Sequence, residues 1–469
     1  TATEYTVSSS VTALTITTAS GSVNFGDTQD DIHRFTGSLE VTGSSIALGG
    51  VHSNVIVGKN TNLNINPGST GLTAIGLNAA GGNASTELGG DDITTIGSQA
   101  GRNMEQNPHR TTLVGAQTGR NLSVGIDNTF VGALAGYQLT VADRNVFVGS
   151  YAGYQTVDVD NAVIIGYQAG YSNMTSAADG TIAIGYQAGY GITSGASNVA
   201  IGKSALPALS TGDSNLGIGD NAGSTLQSGD FNHYIGMYSG FYQQTGDKNI
   251  AIGYRSQQGV SSGNRNVSNN TSVGHNSLYN IVSNDSTAVG YQAGYYASGS
   301  SNTFVGSGAG QGGTTSAPFS SGQFNTAVGA YALDAFTSGY QNVAIGYQAA
   351  TDLTTGYYST FIGMQAGQNV TSGNNNIFIG FQAGGDVTDT NQQIAIGYRA
   401  GVANGGSMDV HIGYEAGANV TAGDNIGIGR AAGRGYHGVG QAEYGENTTA
   451  RYNVYIGSFA GNRVIKTGN

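Results

Sequence analysis

A short motif, Asn-x-(Ala/Phe)-(Ile/Val)-Gly-x-x-Ala-Gly, recurs along most of the 469-residue chain. The segment Asn342–Ala349 shows its first eight positions, and each copy can be anchored on the glycine that follows Ile or Val. Between Gly58 and Gly457 there are 23 such anchors, and 11 of the 22 intervals are 17 residues long. A short period of this regularity predicts a repeat protein whose stacked units share one continuous core.

The period limits what each unit can be. Seventeen residues are too few for a helical repeat of ~34 residues or a propeller blade of ~40. Each unit contains one β-branched alternating segment, such as Ile250–Gly253, then a second short segment such as Tyr186–Gly189, and a polar turn such as Thr193–Ser197. Two short strands and two turns predict one coil of a parallel β-solenoid. The predicted fold is therefore an all-β roll, and its coils at ~4.8 Å would form a rod of roughly 105 Å.

The alternation also predicts a role for each motif position. Val343 and Ile345 fall on one face of a strand and Ala344 on the other. Because Ile or Val precedes all 23 anchors, we expect that row to fill the interior. The anchors would turn sharp corners at positive φ, where a Cβ would clash. Representative anchors are Gly166, Gly185, Gly253, Gly346 and Gly380.

Two further motif positions carry predictions. The pair that begins at Ala349, usually Ala-Gly, is small, and we attribute this to the close approach of another backbone. The row of Asn342 is predicted to form an amide ladder, in which each side chain bonds to the coils above and below.

The composition of the coil also predicts self-association. A 17-residue coil with a single Ile/Val row encloses little apolar area, against an ordering cost of ~1.5 kcal/mol per residue. The Ala, Phe and Tyr residues on the opposite face would stay in water in a monomer. Association of three chains through that face would bury them and leave no open edge, because a threefold arrangement closes on itself. We therefore expect a homotrimer.

Charge and composition exclude several classes of function. The net charge of −12 disfavours nucleic-acid binding and docking on anionic lipid. We see no apolar stretch long enough to insert in a membrane, and no signal peptide over Thr1–Thr18. The absence of cysteine excludes disulfides and thiolate metal sites. Glycine, at 79 residues, does not recur every third position, so a collagen helix is excluded.

Catalytic chemistry has little support in the sequence. The carboxylate pairs Asp91–Asp92 and Asp158 with Asp160 are better interpreted as solvated turn residues than as glycosidase pairs. Asp386 and Asp389 could hold a cation, but the glycine-rich calcium repeat is missing. We therefore predict no enzyme activity, no cofactor and no metal.

Binding residues are better sought where the repeat is irregular, because solenoid insertions form loops outside the core. The long intervals before Gly329 and Gly457 carry aromatic and charged residues, although a neutral insertion is an equally good interpretation. Tyrosine follows the anchor in seven copies, as Tyr347 does, and we favour trimer packing over sugar stacking for that row. The candidate receptor-binding residues are Phe319, Phe324, Arg434, Tyr436, His437 and Tyr444.

The motif resembles two known groups of proteins. Asn-x-Ala-Ile-Gly-x-x-Ala is similar to the head repeat of YadA-type trimeric autotransporter adhesins, whose β-rolls have a shorter period. Ile-Gly-Tyr-Gln-Ala-Gly-Tyr, at Ile165–Tyr171 and Ile184–Tyr190, looks closer to tail fibres of marine and cyanobacterial phages. The resemblance covers residues 54–461, with weaker support over 30–50. It implies an extracellular, virion-borne trimeric fibre that attaches to a host-surface glycan or protein.

This reading divides the chain into three regions. Residues 1–50 would attach to the phage baseplate, the tail or another virion protein, residues 51–461 would form the shaft, and residues 462–469 a short tail. Asn469 is either the end left by a self-cleaving chaperone or an arbitrary boundary. The alternatives are a bacterial trimeric surface adhesin and a tail-spike polysaccharide depolymerase. Ice binding is disfavoured because no Thr-x-Thr ladder free of tyrosine is present.

Overall fold

The computed structural model describes residues 54–58, 70–81, 90–104, 108–261, 266–315, 319–403, 405–420, 423–435 and 451–461. Residues 1–50 and 462–469, to which the sequence assigns the virion attachment region and the tail, lie outside these ranges. In the described ranges each of 23 strands has three residues and ends immediately before an anchor glycine, and one 3-10 turn is present. The predicted parallel β-solenoid of ~17-residue period is thereby confirmed.

The elements follow the repeat along the chain. They are β1 Val55–Val57, β2 Thr73–Ile75, β3 Thr94–Ile96, β4 Thr112–Val114, β5 Thr129–Val131, β6 Val146–Val148, β7 Val163–Ile165, the 3-10 turn Ser176–Ala178, β8 Ile182–Ile184, β9 Val199–Ile201, β10 Leu216–Ile218, β11 His233–Ile235, β12 Ile250–Ile252, β13 Thr271–Val273, β14 Thr287–Val289, β15 Thr303–Val305, β16 Thr326–Val328, β17 Val343–Ile345, β18 Thr360–Ile362, β19 Ile377–Ile379, β20 Ile394–Ile396, β21 Val410–Ile412, β22 Ile426–Ile428 and β23 Val454–Ile456.

Each strand pairs in parallel with the next, and equivalent motif positions are directly opposite. In β17 and β18, for example, Ala344 is paired with Phe361 and Ile345 with Ile362. The anchor glycine continues the ladder, since the Gly346 N–H donates to the Val328 carbonyl at 2.8 Å. Side chains of one kind therefore form straight rows along the solenoid, and each row can be assigned to the interior or to the surface.

The interior row is not the one that the sequence analysis predicted. Ala344 is fully buried, whereas Ile345 is 38% exposed, and the middle residue is the most buried of the three in every strand from β2 to β23. The expectation that the Ile/Val row fills the core is wrong, as is the expectation that the Ala/Phe row lies outside. A coil of this length encloses a narrow lumen, which Ala344, Ala349 and Leu353 already fill in this repeat. The β-branched residues lie instead on the outer, pleated face of the sheet.

The second segment of each coil is also different from the prediction. Tyr186–Gly189 is a turn and not a strand, because Gln187 and Gly189 have left-handed φ angles of +53° and +57°. The segment still stacks on its neighbours: the Gln187 N–H donates to the Tyr167 carbonyl at 3.0 Å, and the Gly189 N–H to the Ala205 carbonyl at 2.9 Å. Each coil therefore contains one strand and a stacked series of turns.

The reason for the small Ala-Gly pair differs from the expected one. A Cβ at Gly189 would first meet side chains, Ile192 Cδ1 at 3.0 Å and Ala183 Cβ at 3.2 Å. Ala349, the first member of the pair in another coil, is fully buried against the lumen. The pair is small because it borders the core, and not because a backbone approaches it.

The anchor corners and the amide ladder are confirmed. Gly346 has φ +138°, and a Cβ there would lie 2.4 Å from the Gly363 carbonyl oxygen. The buried Asn342 amide donates to Asn325 Oδ1 at 3.2 Å and to the Gly356 carbonyl at 2.7 Å. Its own Oδ1 accepts the Ser359 N–H at 3.1 Å. These bonds satisfy the polar groups of a turn that is closed to water. The representative anchors Gly166, Gly185, Gly253 and Gly380 have φ between +130° and +136°.

Candidate functional site

The outward strand face presents a continuous row of Ile and Val, one before each anchor. We call the residues immediately before and after each anchor the outer strip; Ile345 and Tyr347, 38% and 47% exposed, are one rung of it. The position after the anchor includes Lys203, Asp220 and Arg430, whereas the Ile/Val row before the anchor is uncharged in all 23 strands. Exposed, uncharged and strictly periodic surfaces of this extent are characteristic of interaction faces.

Aromatic side chains stack along the strip. Tyr167 and Tyr186 have ring centroids 5.7 Å apart and an interplanar angle of 16°. Phe381, Tyr398 and Tyr414 form a run with spacings of 5.2 and 4.9 Å. Stacked rings cover each other's faces, which are the surfaces that would otherwise pack on a sugar ring. This geometry favours packing over sugar stacking for the tyrosines that follow the anchor.

A second tyrosine row was missed by the sequence analysis. Tyr137, Tyr154, Tyr171 and Tyr190 each lie five residues after an anchor and stack at 5.2, 5.3 and 4.9 Å. Partial burial among these rings raises the pKa of Tyr171. The terminal tyrosine of Ile-Gly-Tyr-Gln-Ala-Gly-Tyr was the available signal, because a residue repeated at one motif position must stack on its copies in a solenoid.

Phe324, one of the candidate receptor residues, lines a shallow cleft of about 320 Å³ at an edge of two adjacent coils. We call it the Phe324 cleft. Phe324 is 56% exposed and has a left-handed φ of +59°. The lining residues are Ser321, Gly322, Gln323, Phe324, Ser338, Tyr340 and Gln341. Sequence reasoning selected Phe324 from the long interval but missed Tyr340 and Gln341, which belong to the next repeat and reach the cleft only through stacking.

The structure does not gather the other candidates in this cleft. Phe319 is half-buried and stacks on Tyr296, with centroids 6.1 Å apart. The Arg434 guanidinium forms an ion pair with Glu415, so its charge is already compensated. Tyr436, His437 and Tyr444 lie outside the described residues.

The carboxylates considered for catalysis or for a cation accept hydrogen bonds within the turns. Asp91 Oδ1 accepts the Thr70 N–H at 2.8 Å, and Asp160 Oδ1 accepts the Asp143 N–H at 2.7 Å. Hydroxyl donation from Ser372 and Thr371 lowers the pKa of Asp389. Within the part of the chain that the structure describes, no group of three or more His, Asp or Glu side chains is arranged to hold a metal. Over the same residues, none of the helical structure is long and apolar enough to cross a membrane.

The chain matches no known protein family, and no curated protein is significantly similar to it. The outer strip and the Phe324 cleft are therefore the two features of the molecule that indicate a function.

Proposed function

We propose that this chain is the shaft of a homotrimeric, non-enzymatic attachment fibre of a phage virion, which binds a glycan or protein on a bacterial surface. The observation that carries the proposal is the outer strip. Its Ile/Val row is uncharged, partly exposed among the described residues and repeated on every rung.

The extent of the strip favours a permanent partner. Ile345 is exposed to 38%, and Ile75, Val305 and Ile412 to 36–37%. Over 23 rungs, such exposure amounts to on the order of 1,000 Å², above the 300–600 Å² of the largest patch on an ordinary monomer. It also exceeds the ~800 Å² that each partner contributes to a stable complex. Left in water, the strip would promote aggregation.

The periodicity indicates what the partner is. The side chains of the strip recur at the strand spacing of ~4.8 Å, and a surface that matches this spacing over many rungs must itself be a stacked solenoid. Another copy of the chain meets that requirement, and three copies around one axis close without exposing an unpaired face. The sequence analysis assigned the contact to the Ala/Phe face, but those residues are inside each coil. We therefore place the proposed trimer contact on the outer strip.

The test is the oligomeric state of the full chain in dilute solution, measured by light scattering coupled to size exclusion. We expect a trimer for the wild type. Ile345→Glu with Ile362→Glu, on adjacent rungs, should yield monomers that keep the β spectrum, because carboxylates would be forced together in the contact. Asn375→Glu with Gln392→Glu adds the same two charges at exposed positions of adjacent coils away from the strip and is the control. A wild-type protein that stays monomeric at micromolar concentration would contradict the proposal.

Attachment is tested with the labelled full chain on a panel of bacterial cells, where saturable binding is expected. Tail or baseplate genes beside the coding sequence would support the virion assignment over a bacterial adhesin.

Against the depolymerase alternative, we expect no new reducing ends when the protein is incubated with capsular polysaccharide. Their appearance would contradict the non-enzymatic assignment.

A further inference from the structure

We propose that the Phe324 cleft binds a neutral hexose unit of a bacterial surface polysaccharide. This inference rests on the proposed attachment function and names the chemistry of the receptor contact. Four features of the cleft lead to it: an exposed aromatic ring, a held second ring, a set of uncharged polar side chains and a fitting volume.

The first feature is the Phe324 ring. Its φ of +59° is the left-handed conformation of this motif position, which Gln341 in the next coil shares at +56°. The ring is 56% exposed, so a large apolar surface remains in water beside a concave site. The C–H face of a hexose ring is the apolar surface of a sugar, and an exposed aromatic ring is its usual partner.

Tyr340 supplies the second ring of the cleft. It stacks on Tyr357 at a centroid distance of 5.0 Å and an interplanar angle of 10°, and it meets Tyr358 edge-on at 5.4 Å. The preceding coil carries Gln323 at the equivalent position, so the tyrosine stack ends at this cleft. Tyr340 is therefore held in place before any ligand arrives, which lowers the ordering cost of binding.

The polar lining selects the class of ligand. Gln323 and Gln341 supply amide donors and acceptors, and Ser321 and Ser338 supply hydroxyls. This set matches the hydroxyl groups of a sugar, each of which is both a donor and an acceptor. None of the lining residues carries a charge, so nothing in the cleft would compensate a uronate or sialate carboxylate. The chemistry therefore favours a neutral hexose.

The volume fits one or two sugar units. About 320 Å³ lies at the small end of ligand sites, which run from ~300 to 1,000 Å³. A shallow site of this size binds a single unit weakly, and a fibre of several chains would gain affinity through multivalency on a polysaccharide.

The chain contains a matched control for Phe324. Phe231 occupies the same motif position, with φ +57° and an exposure of 55%. Asp230 precedes it, and the next coil carries Asp247 and Lys248 where the Phe324 cleft has Tyr340 and Gln341. Phe231 therefore reproduces the backbone and the exposure of Phe324 in a charged setting.

The experiment uses the full chain and saturation-transfer NMR with neutral methyl glycosides of glucose, galactose and mannose, and with methyl glucuronide as the charged comparison. We expect millimolar binding of at least one neutral glycoside and weaker binding of the glucuronide. Phe324→Ala should weaken binding about tenfold or more, Phe324→Tyr should retain it, and Phe231→Ala should leave it unchanged. Circular dichroism of each variant checks that the solenoid is intact.

Two results would overturn the cleft assignment: no signal from any neutral glycoside, or equal losses in Phe324→Ala and Phe231→Ala. Cell adhesion separates this inference from the attachment function. If Phe324→Ala adheres to cells as well as the wild type does, the cleft assignment fails and attachment stands. If the wild type adheres to no cells but binds glycoside through Phe324, the cleft assignment stands and attachment fails.

Discussion

Gly367 leaves the space that the ring of Phe361 occupies: a Cβ at Gly367 would lie 2.2 Å from Phe361 Cδ1. Phe361 is the inward residue of β18, two residues before its anchor, and Gly367 lies four residues after that anchor. The two positions face each other across the lumen of one coil. A ring at the first therefore requires the smallest residue at the second.

The same relationship holds elsewhere in the described strands, including one histidine. The ring–glycine pairs are Phe130–Gly136, Phe147–Gly153, Tyr234–Gly240, Phe304–Gly310, Phe378–Gly384, His411–Gly417 and Tyr455–Gly461. The sizes are reversed at some small strand residues: Ala200, Ser272 and Ala327 are matched by Leu206, Leu278 and Leu333. At others both partners are small, since Ala183 faces Gly189 and Ala395 faces Gly401. The rule is therefore one-sided: an inward ring faces glycine, whereas a small inward residue faces a partner of either size.

Gly367→Ala should destabilise the solenoid by about 2–4 kcal/mol. Overpacking against Phe361 contributes about 1–3 kcal/mol, and the left-handed φ of +59° at Gly367 about 1 kcal/mol more. Because long repeat arrays need not unfold in one step, hydrogen exchange of the β18 amides is the sensitive measurement, together with the thermal midpoint. The double variant Phe361→Ala with Gly367→Leu reproduces the Ala327–Leu333 pair. It should therefore restore the protection of the β18 amides against hydrogen exchange.

The control for that prediction is Ala350→Gly. Ala350 occupies the position equivalent to Gly367, with φ +51°, and faces Ala344 and not a ring. We expect a change near zero, because relief of the left-handed conformation offsets the loss of one buried methyl group. If Gly367→Ala were as mild as Ala350→Gly, the requirement for glycine opposite an inward ring would be wrong.

Asn215→Ala should cost about 3 kcal/mol by leaving several buried groups without partners. Asn215 Oδ1 accepts the Asn232 N–H at 2.9 Å, and its amide donates to the Gly229 carbonyl at 2.7 Å. Asn215→Ser should cost less, since at this position Ser359 Oγ accepts the Asn376 N–H at 3.1 Å. Hydrogen exchange of the β10 and β11 amides distinguishes the two variants. Equal protection in Asn215→Ala and Asn215→Ser would contradict a contribution of the amide ladder to stability.

Stability should fall on acidification through His411. Burial lowers the pKa of His411 to about 4, and both ring nitrogens are without hydrogen-bond partners. Asp409 Oδ2, at 3.9 Å from Nε2, is beyond hydrogen-bond distance. The unfolded chain takes up a proton near pH 6.5 while the folded chain stays neutral, so stability declines as the pH falls from about 6.5 to about 4, by about 3 kcal/mol in total.

His411→Phe tests this prediction. It keeps a ring opposite Gly417 and removes the titrating group, so the stability difference between pH 7 and pH 4.5 should shrink around β21. Hydrogen exchange of β20 to β22 at both pH values, corrected for intrinsic rates, measures it. An unchanged pH dependence in the variant would show that another group is responsible.

Asp334 should have the opposite pH dependence. Burial raises the pKa of Asp334 to about 6, and its Oδ1 has no hydrogen-bond partner. Because the folded pKa lies above the unfolded value of 3.8, the stabilising contribution is complete below pH 3.8 and is lost as the pH rises through about 6. Asp334→Asn should therefore raise the thermal midpoint at pH 8 more than at pH 4. Asp386→Asn, at an exposed carboxylate, is the control and should shift neither.

Much of the solenoid could be predicted from periodicity alone. The corners at the anchors Gly363 and Gly380, the stacked strands before them and the amide ladder at Asn342 follow from equivalent residues occupying equivalent places. The left-handed turn at Gln187 could not be predicted, because small polar residues are compatible with a short strand as well as with a turn. The Phe324 cleft was only half predictable, since Tyr340 and Gln341 come from the next coil.

The sequence by itself determined the period, the parallel register and the fact that Ala344 and Ile345 point to opposite sides of one strand. Only the tertiary structure decided which side is the interior. Hydrophobicity alone favours burying the isoleucine, but the reverse orientation would put two strand residues, Val343 and Ile345, into the lumen beside Ala349 and Leu353. A close-packed lumen accepts one strand residue per coil, and a ring there only where glycine faces it, as Gly367 faces Phe361. Alanine therefore points inward, and the isoleucines form the outer strip.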